Sequence, residues 1–315
     1  MAKIIEVSKT YNNAEYVGKL HSFSLYEGQT EKGKYVRGRL NLATDEHSVF
    51  QLEVFASALT KAGAPNPTYV LLIDILKGAQ TIVDRSEEDA KLAGMIQDKA
   101  LAQQITSGLA LSKRPYGYEN ALKIRAIGGF EMNVYEDQRT GEEVVGIKRR
   151  VGMIAVSNNT PSANFKVHAR IGSVTETSVP DVYIIKAFAM NWNQTSLIPL
   201  TLKTDVPGAG AALDGMIGEM LVLEGQDRSL VIEKEVASGV FGTRMKKEYD
   251  KGLYVTSAEN VPVDIDEEAF LKAKQNYELL KSQTIANAKE RQAKKEISTP
   301  VAPKAEAAVP GDYLF

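Results

Sequence analysis

Between Gly33 and Thr44 the chain reads GKYVRGRLNLAT. Alternation along an extended segment puts Tyr35, Arg37 and Arg39 on one side and Val36, Leu40 and Leu42 on the other, with Lys34 at the entrance. Guanidinium groups pair with anionic oxygens and phenol rings stack on flat π faces. One wet, basic, ring-bearing face therefore stands against one apolar face. Charge for a phosphate backbone and rings for unstacked bases are what a sequence-tolerant site for single-stranded nucleic acid requires. A solvated sheet face with no ligand would show the same alternation.

Further segments combine the same side chains. Lys148, Arg149 and Arg150 are consecutive inside a strand-like run, so they must occupy both faces or force a bulge; they suit phosphate contact at a groove wall or a solvated rim. Lys123 and Arg125 alternate with Leu122 and Ile124, and Tyr135 lies further along the same hairpin. Lys113, Arg114, Tyr116 and Tyr118 crowd a loop that also holds Pro115 and Gly117, a mixture that suits backbone contact with stacking. Later in the chain Lys166, His168 and Arg170 share a face, and Trp192, the sole tryptophan, is a stacking platform or a core residue. The segment from Ser238 to Lys247, with Phe241, Arg244, Lys246 and Lys247, reads as basic and aromatic or as a solvated connector.

Other chemistries lack their parts. Cysteine is absent, which removes disulfides, thiolate metal sites and thiol nucleophiles. His21, His47 and His168 are scattered without metal-ligand spacing, and Asp45, Glu46 and His47 read as a turn. Gly208 and Gly210 precede no GK[ST], and no GxSxG elbow occurs. The expectation is a non-enzymatic chain with no metal and no cofactor, although carboxylate spacing by itself leaves a nuclease open. A formal charge of −2 and a pI near 6.1 provide no global attraction to nucleic acid, so any phosphate-binding surface must be local. The N-terminal residues have no apolar run of signal-peptide length and no later run reaches about 18 residues. The chain is expected to be cytoplasmic, in the host cytoplasm if viral, with no membrane partner.

These side chains need a scaffold. Runs from Glu15, Gly33 and Ser48 are rich in β-branched and aromatic residues and read as three strands. TYVLLIDILKGAQTIV follows as a further extended run, and Ser86 to Gly108 as a helix with a capping-box start and a glycine stop. Two more strands, ALKIRAIGGFEMNVYED and EEVVGIKRRVGMIAVS, are joined by QRTG. Three strands, a helix and two strands is the order of the OB-fold, a five-stranded Greek-key barrel. A looser copy follows, with EMLVLEGQ and SLVIEKEV as its last strands and a short helical segment near Gly208. The predicted class is mainly β: two OB-type five-stranded barrels (α+β), a C-terminal amphipathic helix and a disordered tail. The divisions are 1–158 for the first OB-type domain with its inserted helix, 159–260 for a second, complete or reduced, 261–297 for the helix and 298–315 for the tail. The helix stripe is Phe270, Ala273, Tyr277 and Leu280, and the tail is rich in Ala, Pro and Val.

Barrel-like strand patterns, the linker, and Asp312, Tyr313, Leu314 and Phe315 at its end together resemble single-stranded DNA-binding proteins of bacteria and their phages. YVGKL followed by KYVRGRLNLAT is similar to the first two strands of such proteins. The resemblance implies sequence-tolerant binding and protection of single-stranded DNA during replication or recombination. It also implies capture of replication or recombination proteins by the C-terminal tip, where Phe315 and its carboxylate form a peg for a hydrophobic pocket beside a base. This tip carries one acid where the family has several. A homo-oligomer is possible. Two rival readings remain: a viral structural or assembly protein whose β-domains pack face to face while the helix drives oligomerisation, and a nuclease or strand-annealing factor on the same barrels.

Overall fold

In the structure, a computed structural model, the described residues are 11–45, 48–77, 122–136, 143–191, 195–237, 243–260 and 267–298. Most of them are in strands. The first five are β1 (Asn12–Thr30), β2 (Gly33–Ala43), β3 (Val49–Ser57), β4 (Lys123–Glu136) and β5 (Glu143–Val156). β1 pairs with β2, β2 with β3, β4 with β5 and β4 with β1, all antiparallel, while β3 and β5 run parallel from Leu52↔Arg149 to Val54↔Val151. The ladder therefore returns to β1 and closes a circuit of five strands, which removes sheet edges.

The next five are β6 (Ser162–Glu176), β7 (Tyr183–Met190), β8 (Leu197–Thr204), β9 (Met220–Ala237) and β10 (Thr243–Glu259). Their pairings repeat the first circuit, including a short parallel pairing between β8 and β10. Irregularities repeat as well. A register shift at Leu20/Ser22 in β1 has its counterpart at Ile171/Ser173 in β6. Gly128 lies opposite Val151 beside a shift, and Gly225 lies opposite Val255 beside another. A Cβ on Gly128 would stand 1.9 Å from the Arg150 carbonyl oxygen, and one on Gly225 would stand 2.0 Å from that of Tyr254. Close backbone approach thus requires glycine at both places.

One antiparallel ladder, Asn12↔Val167 to Val17↔Ser162, joins β1 to β6 and merges the two circuits into one sheet. A single apolar cluster runs through both, from Tyr16, Leu40 and Leu52 to Ile185, Leu202 and Leu253.

Two strand readings need correction. SLVIEKEV is the second half of β9, and the fifth strand of the second circuit is β10, which begins with Thr243 to Lys247 of the segment read from sequence as basic and aromatic or as a connector; the rest of that segment, with Phe241, lies outside the described residues. Gln226-Asp227-Arg228 resembles a turn, yet Asp227 is buried and paired inward, so the strand continues through it. The second circuit accordingly has five strands. The run after Pro65 is also not extended: it forms helix α1 (67–77). Asn66 accepts a hydrogen bond at Oδ1 from the Thr68 amide at 3.1 Å, and Pro67 occupies the first turn. Thr68, Leu72 and Ile75 then face the core at helical spacing. Short apolar runs suit either period, and here the cap selects the helix. The helix expected over Ser86–Gly108 lies outside the described residues.

The small-residue stretch holds a short helix, α2 (Ala209–Asp214). The C-terminal helix α3 (Glu267–Ser298) packs Phe270, Ala273 and Tyr277 on Met190 and Leu197. Leu280 departs from the expected stripe and is 43% exposed. No described helix is long and apolar enough to cross a membrane.

Candidate nucleic-acid interface

The outer face of β1, β2, β3 and β5 gathers the side chains of interest in register. One row across the strands is Tyr26, Arg37 and Phe55; the next is Ser24, Arg39, Glu53 and Arg150; a third holds Gly28, Tyr35 and Ser57. Directly opposed residues share a face, and successive rows lie about 7 Å apart along the strands. The apolar partners Val36, Leu40, Leu52 and Val54 point inward and are buried, which fixes the outward set, because a slip of one residue would exchange the faces.

Rings and guanidinium pack on one another. Tyr35 and Phe55 stack with centroids 5.7 Å apart at 25°. The Arg37 guanidinium lies 5.7 Å from the Tyr26 ring centroid and 5.9 Å from that of Tyr35. A Cβ on Gly28 would fall 2.5 Å from the Tyr35 ring, so the bare glycine gives that ring its place. Tyr26 is 59% exposed and Phe55 46%. Large apolar rings left in water over a cation are unusual for a merely solvated face. Among the described residues the side chains of Lys34 and Arg39 make no hydrogen bond or ion pair, so their charge is available. Tyr26, Arg37, Arg39 and Phe55, with Ser24, Glu53 and Arg150, border a shallow groove of about 570 Å³.

On β5 the three consecutive bases divide by parity. Lys148 turns outward to Glu53 and Glu131 at 3.3 and 3.4 Å, and Arg150 turns outward to Glu131 at 3.3 Å. Such exposed pairs are weak, so an incoming phosphate can displace the carboxylates. Arg149 turns the other way. Its Nε meets Asp227 Oδ2 at 2.5 Å, and the same oxygen accepts the Tyr16 hydroxyl at 3.0 Å. This buried triad ties β1 and β5 of the first circuit to β9 of the second. Burial and the Asp227 charge push the Tyr16 hydroxyl well above its ordinary range. Desolvation works against the Arg149 cation, but the hydrogen bond and charge of Asp227 outweigh it and hold it protonated.

The remaining sequence candidates stand elsewhere. Lys123 opens β4 beside Lys19, and Arg125 is held by Glu15 through two hydrogen bonds of 2.9 and 2.8 Å. Tyr135 is exposed far along the β4–β5 hairpin. Lys166 pairs with Glu224 at 2.5 Å and lies over the Tyr11 ring. Arg170 lies under α3, 4.3 Å from the Phe270 ring centroid. Between them His168 is buried, stacks on Tyr11 and accepts the Tyr11 amide at Nδ1, 2.8 Å away. Burial, with a smaller contribution from Lys166, lowers its pKa. On this second face each of the three side chains already has a partner within the chain. Two further bases of the second circuit are engaged, Lys203 with Asp250 and Arg228 with Asp205, while Lys186 and Lys251 are exposed. Burial would raise the Asp250 pKa, but hydrogen bonds from Lys203 and Tyr254 hold it below the ordinary value.

Lys113, Arg114, Tyr116, Tyr118, Trp192, Asp312, Tyr313, Leu314 and Phe315 lie outside the described residues. Tyr26 and Phe55 escaped the sequence reading. Phe55 carried a usable signal, since it shares parity with Gln51 and Glu53 on the wet side of β3. Among the described residues no group of three or more His, Asp or Glu side chains could hold a metal ion.

No protein-family model matches the chain, and no curated protein matches its sequence. Among solved structures it is similar to the wild-type single-stranded DNA binding protein from Thermus aquaticus, at 10% identity and a TM-score of 0.42, over 83% of this chain and 99% of that one. A deletion mutant of that protein gives 11% identity and a TM-score of 0.43, over 83% and 100% of the two chains. The small single-stranded DNA-binding protein from Streptomyces coelicolor gives 13% and 0.21, over 47% and 95%.

Proposed function

We propose that this chain binds single-stranded DNA without sequence selection and keeps it unpaired and protected during replication or recombination. The observation that carries this reading is the solvent-exposed row Tyr26, Arg37 and Phe55, flanked by Tyr35, Arg39, Lys148 and Arg150 on one continuous strand face, with Lys34 at the N-terminal end of β2. Unstacked bases gain about 1–3 kcal/mol each on such rings, while the cationic side chains follow the phosphates. In this reading the two strand circuits are OB-type barrels, the first of which carries the site, and the protein acts without catalysing a reaction. The tip from Asp312 to Phe315 recruits a replication or recombination protein.

Labelled oligo-dT titrated with the full chain at two salt concentrations tests the binding. Affinity should fall steeply with salt, and Tyr35→Ala, Arg37→Ala and Arg39→Ala together should weaken it. Unchanged binding by the triple variant would remove these residues from the site. Deleting the last four residues should leave DNA affinity intact while abolishing partner capture; an equal loss of both would refute that division.

A further inference from the structure

We propose that the cleft between the two strand circuits is a nucleobase pocket, which takes one base of a strand that has passed the Tyr26–Arg37–Phe55 row. This rests on the function proposed above. Arg150 is the link: it lines the groove of the aromatic face and also a second, larger cleft of about 720 Å³. The two spaces therefore border one cation. Met132 and Met153 line the cleft from β4 and β5, Ile198 from β8, and Leu280 from α3. Met153 is 49% exposed and Leu280 43%, so apolar surface is left in water at a concave place.

The chemistry fits a flat apolar ring tethered to a phosphate. Thioethers are polarizable, adapt their shape and contact ring faces favourably, which suits any base alike. Arg150 at the mouth is placed for the adjoining phosphate. It is now held by Glu131, but both side chains of that pair are nearly half exposed, so a phosphate can compete. Gly152 adds room, since a Cβ there would meet nothing within 4 Å. A side chain placed at 152 should therefore fill the cleft without disturbing the strands.

The test uses the full chain, a short oligo-dT of about six nucleotides and a long one of about sixteen, spanning the site sizes of such modules. The long one carries 2-aminopurine at successive positions. Gly152→Trp and Met153→Glu should each leave the short affinity unchanged, lower the long affinity about tenfold and abolish the fluorescence response at one position. If Gly152→Trp fails to fold by thermal unfolding, Met153→Glu carries the measurement. Wild-type affinity for the long strand in both folded variants overturns the pocket and leaves the aromatic-face reading intact. Failure of the wild type to bind either oligonucleotide overturns both. If no 2-aminopurine position responds while truncation after Ser298 raises affinity, the cleft belongs to the chain's own C-terminus and the proposal is lost.

Discussion

Asp227 and Phe55 mark the two demands on single residues here, cohesion and contact. Asp227 is 4% exposed and holds Arg149 and Tyr16 through one oxygen, so its loss would leave a largely buried guanidinium without its anion. Asp227→Ala is expected to destabilise the chain by about 3–5 kcal/mol in urea unfolding, and Tyr16→Phe by only about 1 kcal/mol. Equal small losses would remove the triad from the account of how the circuits hold together. Phe55 makes the opposite case. Its ring is nearly half exposed and stacks on Tyr35, so Phe55→Ala should cost about 1 kcal/mol in unfolding, well short of the loss at Asp227. The same change should weaken oligo-dT binding roughly tenfold, the contribution of one stacked base.

Elements impose constraints that no single side chain reveals. Where β4 meets β5, a methyl group at Gly128 would strike a carbonyl oxygen that no rotamer change can move, whereas Gly152 two residues past Arg150 has open space. Gly128→Ala should cost about 3 kcal/mol and Gly152→Ala close to nothing, measured side by side by urea unfolding. On β6, His168 is buried neutral with its Nδ1 accepting the Tyr11 amide and cations at Lys166 and Arg170 on the same face. Its folded pKa lies below the unfolded value of about 6.5, so the unfolded chain takes up the proton first. Stability is therefore intact above about pH 6.5 and falls as the pH drops below it, well before the lowered carboxylate Asp250 titrates. Urea midpoints at neutral and mildly acid pH should show this loss in the wild type and a smaller one in His168→Gln.

At the scale of the whole molecule, a chain of net charge −2 still carries Arg37 and Arg39, free of carboxylate partners among the described residues, side by side on one strand face. With Lys34, Arg37 and Arg39 contacting phosphates, log affinity against log salt should slope near −2, and Arg37→Ala should reduce the slope by about 0.7. A slope near zero would exclude phosphate contact by this face. Local alternation was enough to read β1, β2 and β3 and the outward set Tyr35, Arg37 and Arg39, because a strand's faces follow from a period of two and nothing more distant. The strands of the first circuit were legible for the same reason, and the C-terminal helix from its spacing of three and four residues, whereas the last two strands of the second circuit were not. That Thr68 to Ile75 is a helix was within reach of the local Asn66 and Pro67 cap, but whether Asp227 is a turn or a buried anion depended on Arg149, far away in sequence. Which bases stay available was also a tertiary matter. Arg37 and Arg39 remain open while Arg149, Arg125 and Lys166 are occupied, because only the closed ladders decide which carboxylate stands within reach of each cation.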